Sequence, residues 1–203
     1  MDGSALNSCS ELPPRYPSGV YQGVTTEDKM YSFFCYFDLN GGKWMVIQRR
    51  LSRVVDFHRS WNEYKKGFGE LDGNFWIGND FLHLVTNPPR ILRIEVEFVD
   101  GTKGYAQYAN FQVANEDQKY KLALNGFTGN LSDSVSHVDG AYFSTRDVDS
   151  DENPHGSCSD DYGGWTFWKL LVATYLSSTR YAMKYFQIGF SIEKLEKGNS
   201  PKR

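Results

Sequence analysis

Only three cysteines occur in the 203 residues, and the odd number leaves one thiol over after a single bridge. No run of about 18 apolar residues exists, which excludes a membrane-spanning helix. Neither sign of charge dominates: 22 lysines and arginines stand against 25 aspartates and glutamates. A net charge of -3 gives no electrostatic footprint for nucleic acid. The opening residues Met1–Ala5 have no basic or apolar region of a secretory leader. Such a start fits a cytosolic chain, and equally a mature secreted domain. No heptads precede Cys9, so any assembly arm lies outside this sequence. The four histidines, His58, His83, His137 and His155, stand in separate segments without metal-ligand spacing. His155 lies three residues before Cys158, but the local signature of a catalytic cysteine is missing. The chain reads as a binding protein and not as an enzyme.

Aromatic residues, at 16%, and 19 glycines suit short strands joined by many turns. Residues 1–8 read as a polar tail, followed by a proline-rich extended lead-in to Gly19. Val20–Tyr21, Met30–Phe37 and Lys43–Arg50 read as strands, with a hairpin turn at Asn40-Gly41-Gly42. Cys9 and Cys35 flank this unit. They are either two buried thiols or a bridge that pins the lead-in to the second strand, and an extracellular setting favours the bridge. Ser60 with Glu63 three residues on has capping-box spacing for a helix ending at Gly67. A second short helix is predicted over Asn79–Thr86, stopped by Asn87-Pro88-Pro89. Arg90–Phe98 alternates apolar residues with Glu95 and Glu97, a strand with one wet face. Asp100-Gly101 turns it back along Gly104–Phe111, and Tyr120–Leu124 adds another strand. Beyond residue 125 regular patterning fades, until Phe186–Glu193 returns as a strand of the central sheet.

The acidic run from Asp147 to Trp165 carries the most chemistry. Asp147, Asp149 and Asp151 alternate without a basic neighbour inside the run, and Pro154 and Gly156 then break regular structure. Carboxylates followed by free carbonyls suit Ca2+, which takes six to eight oxygens. The alternative is a solvated acidic loop. The spacing is not that of an EF-hand, which would need Gly and Glu where Glu152 and Cys158 stand. Asn130-Leu131-Ser132 is a glycosylation sequon.

Several motifs together resemble the fibrinogen C-terminal (fibrinogen-related) domain. They are Cys9-Ser10-Glu11, Tyr16–Tyr21, the run GGKWMVIQRR over Gly41–Arg50, Val55-Asp56-Phe57 before Ser60-Trp61, Tyr64–Gly69, Phe75–Asp80 and Phe143-Ser144-Thr145. The resemblance implies an α+β fold: a central twisted antiparallel sheet, short helices and a loop-rich C-terminal binding region. It implies tails over 1–8 and 196–203 and one domain over 9–195. That domain would comprise an A part (about 9–50), a B part (about 51–115 with 185–195) and a P part (about 116–184). It also implies a structural Ca2+ held by the side chains of Asp149 and Asp151 and the carbonyls of Asn153 and Gly156. One extra residue between Asp151 and Cys158 makes the His155 carbonyl an alternative donor.

The departures from the pattern are as informative. The family's second disulfide joins the Cys158 position to a cysteine followed, in many members, by histidine. Leu170-Leu171 stands near those positions and no cysteine follows Cys158, so Cys158 is expected to be unpaired. Loss of such a bridge typically costs ~2–5 kcal/mol, which predicts a softer binding region. In ficolin- and tachylectin-like members this region binds acetyl groups of N-acetylated sugars. Tyr162, Trp165, Phe167, Trp168 and Tyr175 are the candidate ligand-stacking residues here, with core packing as their other reading.

Two functions follow as expectations. One is a secreted, calcium-stabilised lectin of innate immunity that recognises microbial or acetylated glycans. The other is the protein-binding head of a receptor ligand or matrix protein, as in angiopoietin- or tenascin-like members. In both the ligand sits on a cell or microbial surface, without membrane insertion, and the head multimerises through sequence not present here.

Overall fold

The computed structural model describes residues 8–13, 16–24, 28–38, 41–52, 54–98, 100–150 and 183–191. Strand β1 (Gly19–Val24) pairs antiparallel with β2 (Met30–Phe37), which pairs with β3 (Lys43–Arg50). The β2–β3 hairpin closes through Asp38, whose carboxylate accepts from Gly42 N–H at 2.8 Å and Trp44 Nε1–H at 3.0 Å. Gly41 supplies the left-handed φ of 86° that the turn needs.

The lead-in is less extended than its prolines suggest, since Cys9–Glu11 forms a 3-10 turn. Ser8, expected in the tail, is buried against it. A disulfide joins Cys9 to Cys35 on β2, and Lys43 Nζ donates to the carbonyls of Ser10 and Leu12. Both Cys9 and Cys35 belong to the main apolar core.

Helix α1 (Trp61–Lys66) and helix α2 (Asn79–Val85) flank two brief strands, β4 (Phe68–Gly69) and β5 (Phe75–Trp76). Two-residue strands are too short for alternation to reveal. Long strands then follow: β6 (Arg90–Phe98), β7 (Lys103–Val113) and β8 (Leu122–Gly129). The last was expected from Tyr120 to Leu124. It starts two residues later because Lys119 and Tyr120 both have left-handed φ, 51° and 47°. It also runs on through Asn125-Gly126, a pair that reads locally as a turn.

Strand β9 (Met183–Ser191) inserts between β3 and β6, antiparallel to both. One sheet of order β1-β2-β3-β9-β6-β7-β8 results, with β5 and β4 attached beside β3. The core lies on one face, where Met45, Ile47, Ile94, Tyr108, Phe111 and Ile188 pack with α1 and α2 residues Tyr64 and Leu82. Leu92, Ile94 and Val96 are its contribution from β6, while Glu95 and Glu97 face the other way. A smaller cluster of Phe34, Val46 and Phe75 forms separately.

Candidate functional site

Phe143 is the local anchor of the acidic segment. Fully buried, it meets the rings of Trp61, Tyr64, Trp76 and Tyr120 at centroid distances of 5.8, 5.3, 6.3 and 6.3 Å. Its N–H donates to the carbonyl of Lys119, so the left-handed turn at Lys119-Tyr120 is held against the segment. Asn115 makes that turn possible. Its side chain accepts from Gln118 N–H and its carbonyl from Tyr120 N–H.

Residues 144–150 form a tight hairpin-like loop. Thr145 and Val148 exchange two backbone hydrogen bonds, at 2.9 and 3.2 Å, and Ser150 N–H donates to Ser144 Oγ at 3.0 Å. Asp147, at the tip, turns back to the first turn of α1. Its Oδ1 accepts from Trp61 N–H at 2.8 Å and from Thr145 Oγ1–H at 2.8 Å. A carboxylate there meets an otherwise unpaired helix N–H and the positive end of the helix dipole. Asp149 stands two residues on and is exposed. Asp147 therefore anchors the loop on α1, and both it and Asp149 keep solvent-exposed surface.

The same helix start carries its own cap. Glu63 accepts from Ser60 N–H at 2.9 Å and from Ser60 Oγ–H at 2.8 Å, and pairs with Arg59 at 2.8 Å. Those bonds, the Ser60 backbone bond foremost, hold the Glu63 carboxyl down at about 2. Further along α1, Lys65 pairs with Glu116, which also accepts from Trp61 Nε1–H at 2.9 Å. These bonds, Lys65 first, lower the Glu116 carboxyl. Tyr120 donates to Asp80 Oδ1 at 2.6 Å, and burial followed by that bond raises its phenol. The polar ring ties α1, α2 and the 115–120 turn into one support for the acidic loop. Sequence reasoning missed it, because its bonded partners lie up to 55 residues apart.

Asp149 is the one expected calcium donor among the described residues. Asp151, Asn153, His155 and Gly156 lie outside them, as do Cys158 and the stacking candidates Tyr162, Trp165, Phe167, Trp168 and Tyr175. Among the described residues no three His, Cys, Asp or Glu side chains gather as a metal-binding group. At the loop, Asp149 offers an exposed carboxylate on a short, internally bonded turn. Asn130 is exposed just beyond β8.

Residues 13–189 match the family described as the C-terminal globular domain of fibrinogen beta and gamma chains. The chain belongs to the fibrinogen C-terminal domain family. It is 39% identical over 186 residues to human angiopoietin-related protein 7, spanning 88% of this chain and 53% of that protein. It is 38% identical over 169 residues to ryncolin-4 of Cerberus rynchops, spanning 81% of this chain and 49% of that protein. The chain thus spans about half the length of these relatives. The fold is similar to that of the fibrinogen-like globe domain of human ANGPTL6, with a TM-score of 0.77 and 26% identity over 90% of this chain and 92% of that one. The fibrinogen-like globe explains the α+β layout seen among the described residues: one antiparallel sheet with few and short helices.

Proposed function

We propose that this fibrinogen-related domain is a secreted, non-catalytic recognition module that binds microbial or acetylated glycans, with calcium holding its binding loops in shape. The observation that carries the reading is the 144–150 loop. It is anchored on a helix start and a buried aromatic cluster, and it presents Asp149 outward at the head of the acidic, aromatic-rich stretch. A site built on a rigid support loses less entropy when it binds. Asp149 with Asp151 and the carbonyls of Asn153 and Gly156 or His155 would hold the ion. The faces of Tyr162, Trp165, Phe167, Trp168 and Tyr175 would stack on sugar rings, whose apolar faces suit aromatic side chains. The metal is structural, since neither binding reading asks it to activate water. The Cys9–Cys35 bridge suits an oxidising, extracellular setting. Multimerisation through sequence outside this chain would supply avidity.

One observation favours a second reading, a head that binds a receptor or matrix protein. Leu170-Leu171 replaces the Cys-His element near which acetyl groups bind in lectin-like members.

Thermal unfolding in EDTA, in excess Ca2+, and in Ca2+ with N-acetylglucosamine tests both. A ligand that binds only the folded chain raises the midpoint. The lectin reading expects a rise with calcium and a further rise with the sugar. Calcium alone raising the midpoint would transfer the assignment to a protein partner. Indifference to calcium would remove the metal from the site.

A further inference from the structure

We propose that Asn130 carries an N-linked glycan, placed so that it covers the end of the sheet opposite the recognition loop. Asn130-Leu131-Ser132 is the one Asn-x-Ser/Thr sequence in the chain that lacks an intervening proline. Asn130 and Ser132 are both exposed. The geometry at Asn130 separates the two ends of its amide. Tyr105 N–H donates to Asn130 Oδ1 at 2.7 Å, and Asn130 N–H donates to the Tyr105 carbonyl at 3.1 Å. A backbone N–H can only donate, so the atom it meets is the oxygen, and Nδ2 is the atom free for modification. A sugar on Nδ2 leaves the Oδ1 acceptor intact. The neighbouring residues are held in place: Leu131 packs over Gly104, and Asp133 accepts from Tyr108 Oη–H and Ser136 N–H. The glycan would therefore project from a fixed base.

The transfer balances without an oxidant. Asn130 Nδ2 forms a bond to the anomeric carbon of an oligosaccharide carried on a polyprenyl pyrophosphate. The bond from that carbon to the pyrophosphate oxygen breaks, the polyprenyl pyrophosphate leaves, and the amide gives up one proton.

Topology fixes where the sugar goes. Strand β8 begins at Leu122, bonded to Gly140 and Ala141 on the approach to Phe143 and the acidic loop, and ends at Gly129 beside Ala106. Eight residues at ~3.3 Å each put Asn130 roughly 26 Å from that beginning. Among the described residues β8 is also the last strand of the sheet. Residues 139–141 cover its first turn of edge, so a glycan at Asn130 would screen the other end, where an added strand could pair. The recognition loop would stay uncovered.

The inference rests on the extracellular reading, and one expression experiment separates the two. The full chain is produced in animal cells behind a cleavable secretory leader. Peptide N-glycosidase treatment is expected to lower its mass in one step and convert Asn130 to aspartate in the released peptide. Asn130→Gln and Ser132→Ala should each abolish the step. Ser132→Ala keeps the Tyr105 bonds and so guards against a folding defect. An unmodified Asn130 peptide, in medium or cell extract, would overturn the glycan. The extracellular reading is judged separately, by whether the chain reaches the medium with Cys9 and Cys35 bridged.

Discussion

Asp147 and Asp149 differ by two positions and, in the fold, by role. Asp147 accepts from the first N–H of α1 and from Thr145, so Asp147→Ala should cost about 0.5–2 kcal/mol, the usual range for losing a cap at a helix start. That loss should be present in EDTA as well as in calcium. Asp149 is exposed. Asp149→Ala should remove the rise in midpoint that calcium gives over EDTA. Paired melts of the two variants read this directly. A calcium response surviving in Asp149→Ala would take that residue out of the metal site. The family resemblance singles out Asp149 and Asp151 as metal donors and leaves Asp147 without a role. The long-range bond to Trp61, across 86 residues, gives Asp147 its role.

At the scale of elements, α1 was legible because its signals are local. Ser60, Glu63 and Gly67 lie within a single short stretch, and each acts on the backbone beside it. The cap also has a pH signature. The Glu63 carboxyl sits at about 2 in the fold against an ordinary 4.5, so its folded value is depressed. Its stabilisation is complete above about 4.5 and is lost as pH falls toward about 2. Glu63→Gln should therefore flatten the acid limb of the stability-pH curve in that window, with little effect on its shape above it. Solvent screens this partly exposed carboxylate, which makes the effect smaller than the shift alone would give. Urea melts between pH 2 and 6 check the sign. β8 shows the opposite case. Asn125-Gly126 reads as a turn by local preference, yet Asn125 pairs opposite Asn110, and their side chains bond at 2.7 Å. Ladder pairing with β7 overrode the local signal, as β-structure commonly allows.

For the whole molecule, the connection that matters most is the seam at β9. It joins β1–β3 to β6–β8 in one sheet, which takes in β8 from the stretch expected as the P part. The N-terminal corner is held differently, by the Cys9–Cys35 bridge and the bonds from Lys43 to Ser10 and Leu12. The bridge closes a loop of 26 residues, for which the chain-entropy estimate is about 3.5 kcal/mol at 25 °C. A Cys9→Ser/Cys35→Ser double variant should lose stability of that order in urea unfolding, and reductant should add nothing further to it. A double variant as stable as the parent would mean that core packing and Lys43 hold this corner without the bridge.

The amino-acid sequence by itself determined the family, most strands and both helices, because motif spacing, two-residue alternation and capping residues act over short stretches. It also supplied the acidic run and the glycosylation sequon, both readable from neighbouring residues. Tertiary structure alone decided that Asp147 closes onto α1 and that Lys119-Tyr120 takes left-handed backbone in place of a strand. It decided too that Lys65, Glu116, Asp80 and Tyr120 form one support, and that Asn130 presents Nδ2 and not Oδ1. Each of these has a hydrogen-bond partner tens of residues away, which for the Lys119-Tyr120 turn adds to the local bonds of Asn115. Burying backbone groups without partners is too costly for local preference to prevail.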